Sequence, residues 1–381
     1  MPLNAGDWVQ VRSKAEILRS LDANGRLDNI PFMPQMFDYC GQKFRVVKRA
    51  HKTCDTVNGT GGRSLPSAVH LDNMRCDGQA YGGCQASCLI FWKEAWLKPL
   101  NEDGTHKTDS TLSPSEPVTS QPPISQHLAS QPLRSQKACT EEAVRAHTLA
   151  ADQPVTGGPK YSCQATTLPE FTSPLPWWKF SQYVEDYNSG NAGLRQLVSG
   201  FVYASYYLLS RPGRRNPIGP PFRWLYDRVV SLWGGVPFPR RPGLIPLGRP
   251  TPQTDLNLQP GEWVRVKSYA EILASIDRNN KNKGLFFDAE MVPFCGKVFR
   301  VRTRVARFIG ENTGLMVKLR TPAVILENVW CQSRYSDRRM LCPRRIYSWW
   351  REEWLERVAP EQAGASLARA EPVAESSPNA A

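Results

Sequence analysis

A pattern of alternating apolar and polar positions occurs twice along the chain, at a fixed distance. Gly6-Asp7-Trp8-Val9-Gln10-Val11-Arg12-Ser13 returns as Gly261-Glu262-Trp263-Val264-Arg265-Val266-Lys267-Ser268, a shift of 255 positions (261 minus 6). Each copy opens on a Gly-acid turn and continues as a short strand, with Trp8, Val9 and Val11, or Trp263, Val264 and Val266, as its apolar positions. Ser13 and Ser268 stand three residues before Glu16 and Glu271, the spacing of a capping box, which predicts a short helix over 15–21 and at its counterpart. A Cys-Gly-x-x-Phe-Arg-Val stretch then leads from a turn into a strand, and a further apolar strand is expected over 69–71 and 324–326. Both copies close on an aromatic segment, Phe91-Trp92-Lys93-Glu94-Ala95-Trp96-Leu97 and Trp349-Trp350-Arg351-Glu352-Glu353-Trp354-Leu355. Trp92 and Trp96 are expected to share one face of an amphipathic helix turned to the core.

The same shift pairs Phe32 with Phe287, Met36 with Met291, Cys40 with Cys295, and Cys76 with Cys331; after a three-residue insertion Cys84, Trp92 and Trp96 meet Cys342, Trp350 and Trp354. The fold class this predicts is mainly β with short helices (α+β): two homologous small SH3-like barrel repeats joined by a helical, Pro-rich connector. The first repeat spans residues 4–100 and the second 259–358. Residues 101–160, poor in large apolar side chains, read as a flexible linker, and 359–381 as a disordered tail. Residues 161–258 are too aromatic for free exposure and form the helical, Pro- and Arg-rich connector, including an apolar helix over 194–209.

Comparing the copies separates scaffold from site. Cys54 and Cys88 are replaced by Ile309 and Ile346, so the fold accepts aliphatic residues where the first copy has thiols. Cys54, Cys76, Cys84 and Cys88 fall at Cys-x21-Cys-x7-Cys-x3-Cys, a tetrathiolate set that soft metals favour: zinc first, an iron–sulfur cluster as the alternative. Cys84 and Cys88 would bind as a pair if the closing helix starts there. His51 and His70, matched by Ala306 and Ile325, are candidate ligands or groups supporting the metal. Cys139, Cys163, Cys331 and Cys342 form a candidate second site tying the connector to the second repeat, whereas Cys40 and Cys295, present in both copies, read as buried and inert. The segment Asn58-Gly59-Thr60-Gly61-Gly62-Arg63 reads as a hairpin turn, since no Gly-Lys-Ser/Thr follows it.

Composition narrows the class without naming a reaction. A net charge of +13 and ten cysteines in 381 residues favour an anionic partner and thiols used as ligands rather than as a disulfide framework. Arg211, Arg214, Arg215, Arg223, Arg228, Arg240, Arg241 and Arg249 of the connector, and Arg334, Arg338, Arg339, Arg344, Arg345 and Arg351 of the second repeat, are the candidate surface for an acidic protein, nucleic acid or membrane. The start of the chain shows no secretory pattern and no apolar run approaches the ~20 residues of a spanning helix, so a cytoplasmic location is expected. The sequence has no His-Glu-x-x-His, no Gly-x-Ser-x-Gly and no dinucleotide fingerprint.

The strings at 6–13, Cys54-Asp55-Thr56, Cys76-Asp77-Gly78, Gly82-Gly83-Cys84-Gln85, 91–97, Tyr161-Ser162-Cys163-Gln164-Ala165-Thr166 and Cys342-Pro343-Arg344 resemble those of a bacterial family with one or two such repeats. The resemblance covers the chain apart from the linker and tail. It implies the architecture and the unusual cysteines and supplies no reaction. Tyr81 stands where the family pattern implies a histidine before Gly82-Gly83-Cys84, which removes a catalytic histidine there. The expected function is a zinc-stabilised tandem-barrel binding or scaffold protein. Its alternatives are a metal-dependent enzyme or redox protein using the first repeat's thiolates, and a peripheral membrane protein attached by the 194–209 helix beside the arginines. Whether the chain is an enzyme stays open at this level.

Overall fold

The Gly-acid turn and the alternation after it fold the same way in both halves of the chain. In the computed structural model, which describes residues 2–101, 139–154, 158–210, 219–231, 236–336 and 338–362, Val9, Val11, Val264 and Val266 are fully buried. Trp8, by contrast, lies on the outer face. The architecture is mixed α+β, mostly strands in small antiparallel sheets.

The first half contains β1 (Trp8–Val11), β2 (Lys43–Arg49), β3 (Ala68–Leu71), β4 (Trp92–Lys93) and β5 (Leu97–Leu100), in the spatial order β4-β3-β2-β1-β5. The second contains β6 (Trp263–Val266), β7 (Val298–Ile309), β8 (Met316–Trp330), β9 (Tyr347–Trp350) and β10 (Leu355–Arg357), in the order β9-β8-β7-β6-β10. Even the registers correspond, with Val9 opposite Phe44 and Val264 opposite Phe299. The helices Lys14–Ser20 and Tyr269–Ser275 both carry the expected capping boxes, Ser13 with Glu16 and Ser268 with Glu271.

Two expectations are corrected here. Neither sheet closes into a barrel: no ladder joins β4 to β5 or β9 to β10. These edge strands are two to four residues long and β5 contains Pro99, which has no N–H to give a ladder. The closing segment is also not an α-helix. It is strand, one 3-10 turn (Glu94–Trp96, Glu352–Trp354) and strand, so the turn carries the chain from one edge of a curled sheet to the other. The tryptophans still meet at the core, Trp92 with Trp96 at 6.4 Å and Trp350 with Trp354 at 6.5 Å, both edge-on. Such edge-to-face pairs add about 1 kcal/mol beyond burial.

Beyond the sheets the halves diverge. β7 and β8 run on as a long hairpin, but in the first half the chain breaks after Arg49 and resumes as Lys52–Cys54, paired with Gly62–Ser64. The glycine-rich segment between these strands is thus the expected hairpin turn, and Gly62–Ser64 pairs in turn with Ser173–Leu175 from the connector. The expected flexible linker over 101–160 contains an ordered part. Residues 102–138 lie outside the described residues, while Glu141–His147 is a helix capped by Thr140 whose Val144 is fully buried. Of the expected tail, only residues 359–362 are described.

Helix Ser181–Asn188 of the connector docks on the first half through a buried ion pair, Lys52 Nζ to Asp186 Oδ2 at 2.5 Å, and Lys52 also donates to the Met340 carbonyl at 2.9 Å. Across the seam between the halves, positions 255 apart face one another. The Thr56 hydroxyl donates to Glu311, and the Arg75 guanidinium lies over the Trp330 ring at 5.9 Å. Contacts there are reciprocal: the Cys342 thiol neighbours that of Cys54, while the Ile309 N–H, at the position matching Cys54, donates to Cys84 Sγ at 3.4 Å.

Candidate thiol sites at the seam

The structure sorts the cysteines differently from their order in the chain. Cys76, Cys84, Cys88 and Cys163 form one neighbourhood. Cys76 and Cys88 are tied by the Cys76 N–H donating to the Cys88 carbonyl at 2.8 Å, beside an isolated bridge between Arg75 and Leu89. Cys84 and Cys88 are not on a helix; residues 84–88 run without regular structure. The loop from Cys76 to Cys84 folds back through a 3-10 turn, Gln79–Tyr81, flanked by Gly78 and Gly82 in left-handed conformation. At Gly78 (φ +77°) a Cβ would lie 1.7 Å from the Cys84 carbonyl oxygen, so only glycine fits.

Cys163 enters from the connector. The Tyr161 N–H donates to the Ala80 carbonyl at 2.9 Å, and the Gln164 side chain accepts from the Phe91 N–H at 3.0 Å while donating to the carbonyls of Pro31 and Phe91. Together these segments enclose a cavity of about 20 Å³ lined by Met33, Gln35, Cys76, Tyr81, Cys88 and Cys163, room for about one water. The Tyr81 hydroxyl meets the Gln35 amide there. Burial, reinforced by the neighbouring thiols, pushes Cys76 and Cys88 well up and Cys163 to about 11. Cys76, Cys88 and Cys163 are therefore neutral thiols, and a bound cation is what would ionise them.

Cys54 belongs elsewhere. It sits in the seam with Cys342, Cys331, Arg339 and Arg344, and its thiol is lowered to about 6, first by the hydrogen bond from Cys342 and then by the two guanidinium groups acting against burial. Cys342 is correspondingly raised, by the same interaction with Cys54 and by burial. Burial pushes Cys331 up to about 12. Among the described residues, no three His, Cys, Asp or Glu side chains converge as the ligands of one ion do. The second candidate set is also divided. Cys139 is buried just ahead of helix Glu141–His147, Cys163 lies at the cavity, and Cys331 and Cys342 lie beside Cys54. Cys40 and Cys295 end equivalent 3-10 turns, half-buried.

Neither histidine faces the cavity. His51 Nε2 lies 3.2 Å from the Gln182 carbonyl and 3.4 Å from Asp186, in the contact with the connector. His70 Nδ1 lies 2.9 Å from the Ile90 carbonyl, its ring 4.7 Å from Phe91.

Several arginines expected on the surface are structural. Arg344 is 1% exposed, donates to Thr56 Oγ1 at 2.6 Å and to both Glu311 oxygens at 2.9 and 3.0 Å, while Arg351 is 3% exposed and binds backbone carbonyls. Arg344 is drawn inward by Glu311 and the Thr56 hydroxyl at the seam, and Arg351 by the carbonyls of Asn282 and Lys283. The roles of Tyr81, Gln35 and Arg344 were not evident from spacing. The strings Tyr161–Thr166 and Cys342-Pro343-Arg344, noted for their resemblance, held the signal. Compared with protein-family models the chain matches none, and no curated protein matches it.

The loop geometry carries a prediction. Gly78→Ala should cost at least about 3 kcal/mol in urea unfolding, since it combines a positive φ with a backbone clash. Gly59→Ala (φ +69°, with nothing within 4 Å of a Cβ) should cost only about 1 kcal/mol. Equal losses would mean that the loop moves aside.

Proposed function

We propose that the protein is a binding scaffold of two homologous SH3-like repeats packed about a pseudo-two-fold axis, with a soft metal held by thiols in the first repeat. Matching strand orders and the facing of positions 255 apart support the duplication. The meeting of Cys76, Cys88 and Cys163 at one cavity, with Cys84 a neighbour of Cys76 and Cys163, carries the metal reading. Cys54 drops out of the ligand set in this reading and Cys163 replaces it. A zinc tetrathiolate would need the thiols to close on one point, whereas an iron–sulfur cluster spreads its thiolates over several irons and asks less movement. A closed four-thiolate centre leaves no open position for substrate, which favours a scaffold over an enzyme.

Metal analysis and an absorption spectrum of anaerobically purified protein test this. Colourless protein with about one zinc per chain, or brown protein absorbing near about 400 nm, each supports a thiolate metal centre and identifies the metal. Cys163→Ser should lose most of the bound metal and Cys54→Ile should keep it. The reverse outcome would restore Cys54 to the site, and metal-free wild-type protein would end the metal reading.

A further inference from the structure

The helical connector turns an apolar face outward. Of the nineteen large apolar side chains that stand exposed among the described residues, twelve fall between Trp177 and Val229. Helix Leu194–Ser210 explains why. Leu197, Gly200 and Tyr203 face the protein, the last edge-on to Tyr335 at 4.8 Å, and a Cβ at Gly200 would lie 2.6 Å from Met340 Sδ. On the opposite side Leu194, Val198 and Val202, four apart, are 65%, 54% and 60% exposed. A surface helix of a water-soluble domain carries polar residues on that stripe; here both faces are apolar. Phe180, 64% exposed, stacks on Phe201 of the same helix, and helix Gly219–Ser231, which packs against it through Tyr206 and Phe222, adds exposed Trp224, Leu225 and Val229.

Charge identifies the occupant. From residue 177 to 254 the sequence holds nine arginines, one lysine, two aspartates and one glutamate. Each acid is taken: Glu185 by Arg49, Asp186 by Lys52, and Asp227 by Arg241 and the Phe238 N–H. Leu, Val and Trp beside arginines, with no acid free to repel phosphate, is the composition of a helix that lies in the headgroup region of an anionic bilayer. No helix among the described residues is long and apolar enough to cross a membrane.

We propose that helices Leu194–Ser210 and Gly219–Ser231, with the Trp177-Trp178 segment, form an in-plane attachment surface for anionic lipid. The rest of the chain is then held against the membrane without spanning it. This surface is independent of the thiol cavity.

Co-sedimentation of the full chain with phosphatidylcholine vesicles, with and without phosphatidylglycerol, is the test. Binding should be at least about tenfold tighter to the anionic vesicles, weaken with salt, and fall at least about tenfold in a Val198→Asp, Val202→Asp variant. Both positions point to solvent, so the variant should keep the wild-type circular dichroism and melting temperature. Should the variant melt lower, Leu194→Ser with Trp224→Ser serves instead. The proposal is overturned by absence of sedimentation with anionic vesicles at low salt, by variants that bind as wild type, or by a vesicle-free dimer that the same substitutions dissolve. The last would assign the face to a second copy of this chain.

Discussion

Replacing Arg344 by Met should destabilise the chain by about 3–5 kcal/mol and loosen its two halves from one another. Arg344 is the centre of the seam. It reaches Thr56 of the first half and both carboxylate oxygens of Glu311 in the second, and its guanidinium lies 6.0 Å from the Phe91 ring. A methionine of similar length keeps the packing but leaves the half-buried Glu311 against the Thr56 hydroxyl with no cation, and removing one partner of a largely desolvated pair costs more than the pair was worth. Urea unfolding followed by tryptophan fluorescence and by circular dichroism should show a lower midpoint and, because the seam is where the halves couple, transitions that no longer coincide. Glu311→Gln in the Arg344→Met background should recover part of the loss. A loss under about 1 kcal/mol would mean that the seam is held by its apolar contacts alone.

Acid should unfold this protein earlier than carboxylate chemistry alone would predict, because of His70. The ring is fully buried, and burial lowers its pKa to about 3 against the opposing hydrogen bond to the Ile90 carbonyl. The unfolded chain carries an ordinary histidine near 6.5. Above that value the ring is neutral in both states and adds no pH dependence. Below it the unfolded state takes up a proton that the folded state refuses, so stability falls with pH until the folded value near 3 is reached. At about pH 5 the loss is roughly 2 kcal/mol, and it grows by about 1.4 kcal/mol for each further unit. His51, lowered to about 4 chiefly by burial, acts in the same direction, but Asp186 beside it is raised to about 6 and takes up a proton on acidification, which offsets part of the effect. The matching position in the second half is Ile325, also fully buried, so His70→Ile is the substitution the fold already accommodates. Unfolding midpoints of wild type and His70→Ile at about pH 7 and pH 5 should separate by the loss given above. Equal pH slopes would show that the ring is protonated in the folded protein.

The periodicity of the sequence carried well where one local rule was at work. The strand at Trp8–Val11, the capping boxes at Ser13 and Ser268 and the turn at 58–63 depend on neighbours within a few residues. It failed at Trp92–Trp96, because a spacing of four fits both a helix face and a strand–turn–strand whose ends are folded together. Here Lys93 is 2% exposed and reaches the Pro66 carbonyl at 2.9 Å, an anchorage that a free helix would lack.

Sequence alone showed one residue pattern recurring at a fixed shift, which needs no coordinates to be seen, and it marked Cys54 and Cys88 as positions where the first occurrence has thiols that the second does without. Which thiols meet was decided by tertiary structure. Cys163 reaches the cavity because Gln164 and Tyr161 pin the connector to the first half, and Cys54 is drawn away because the packing of one half on the other sets Cys342 beside it. Spacing along the chain orders ligands only within a loop or helix. Across more than a hundred residues, as between Cys54 and Cys342, the backbone imposes no distance, and the close-packed seam supplies it.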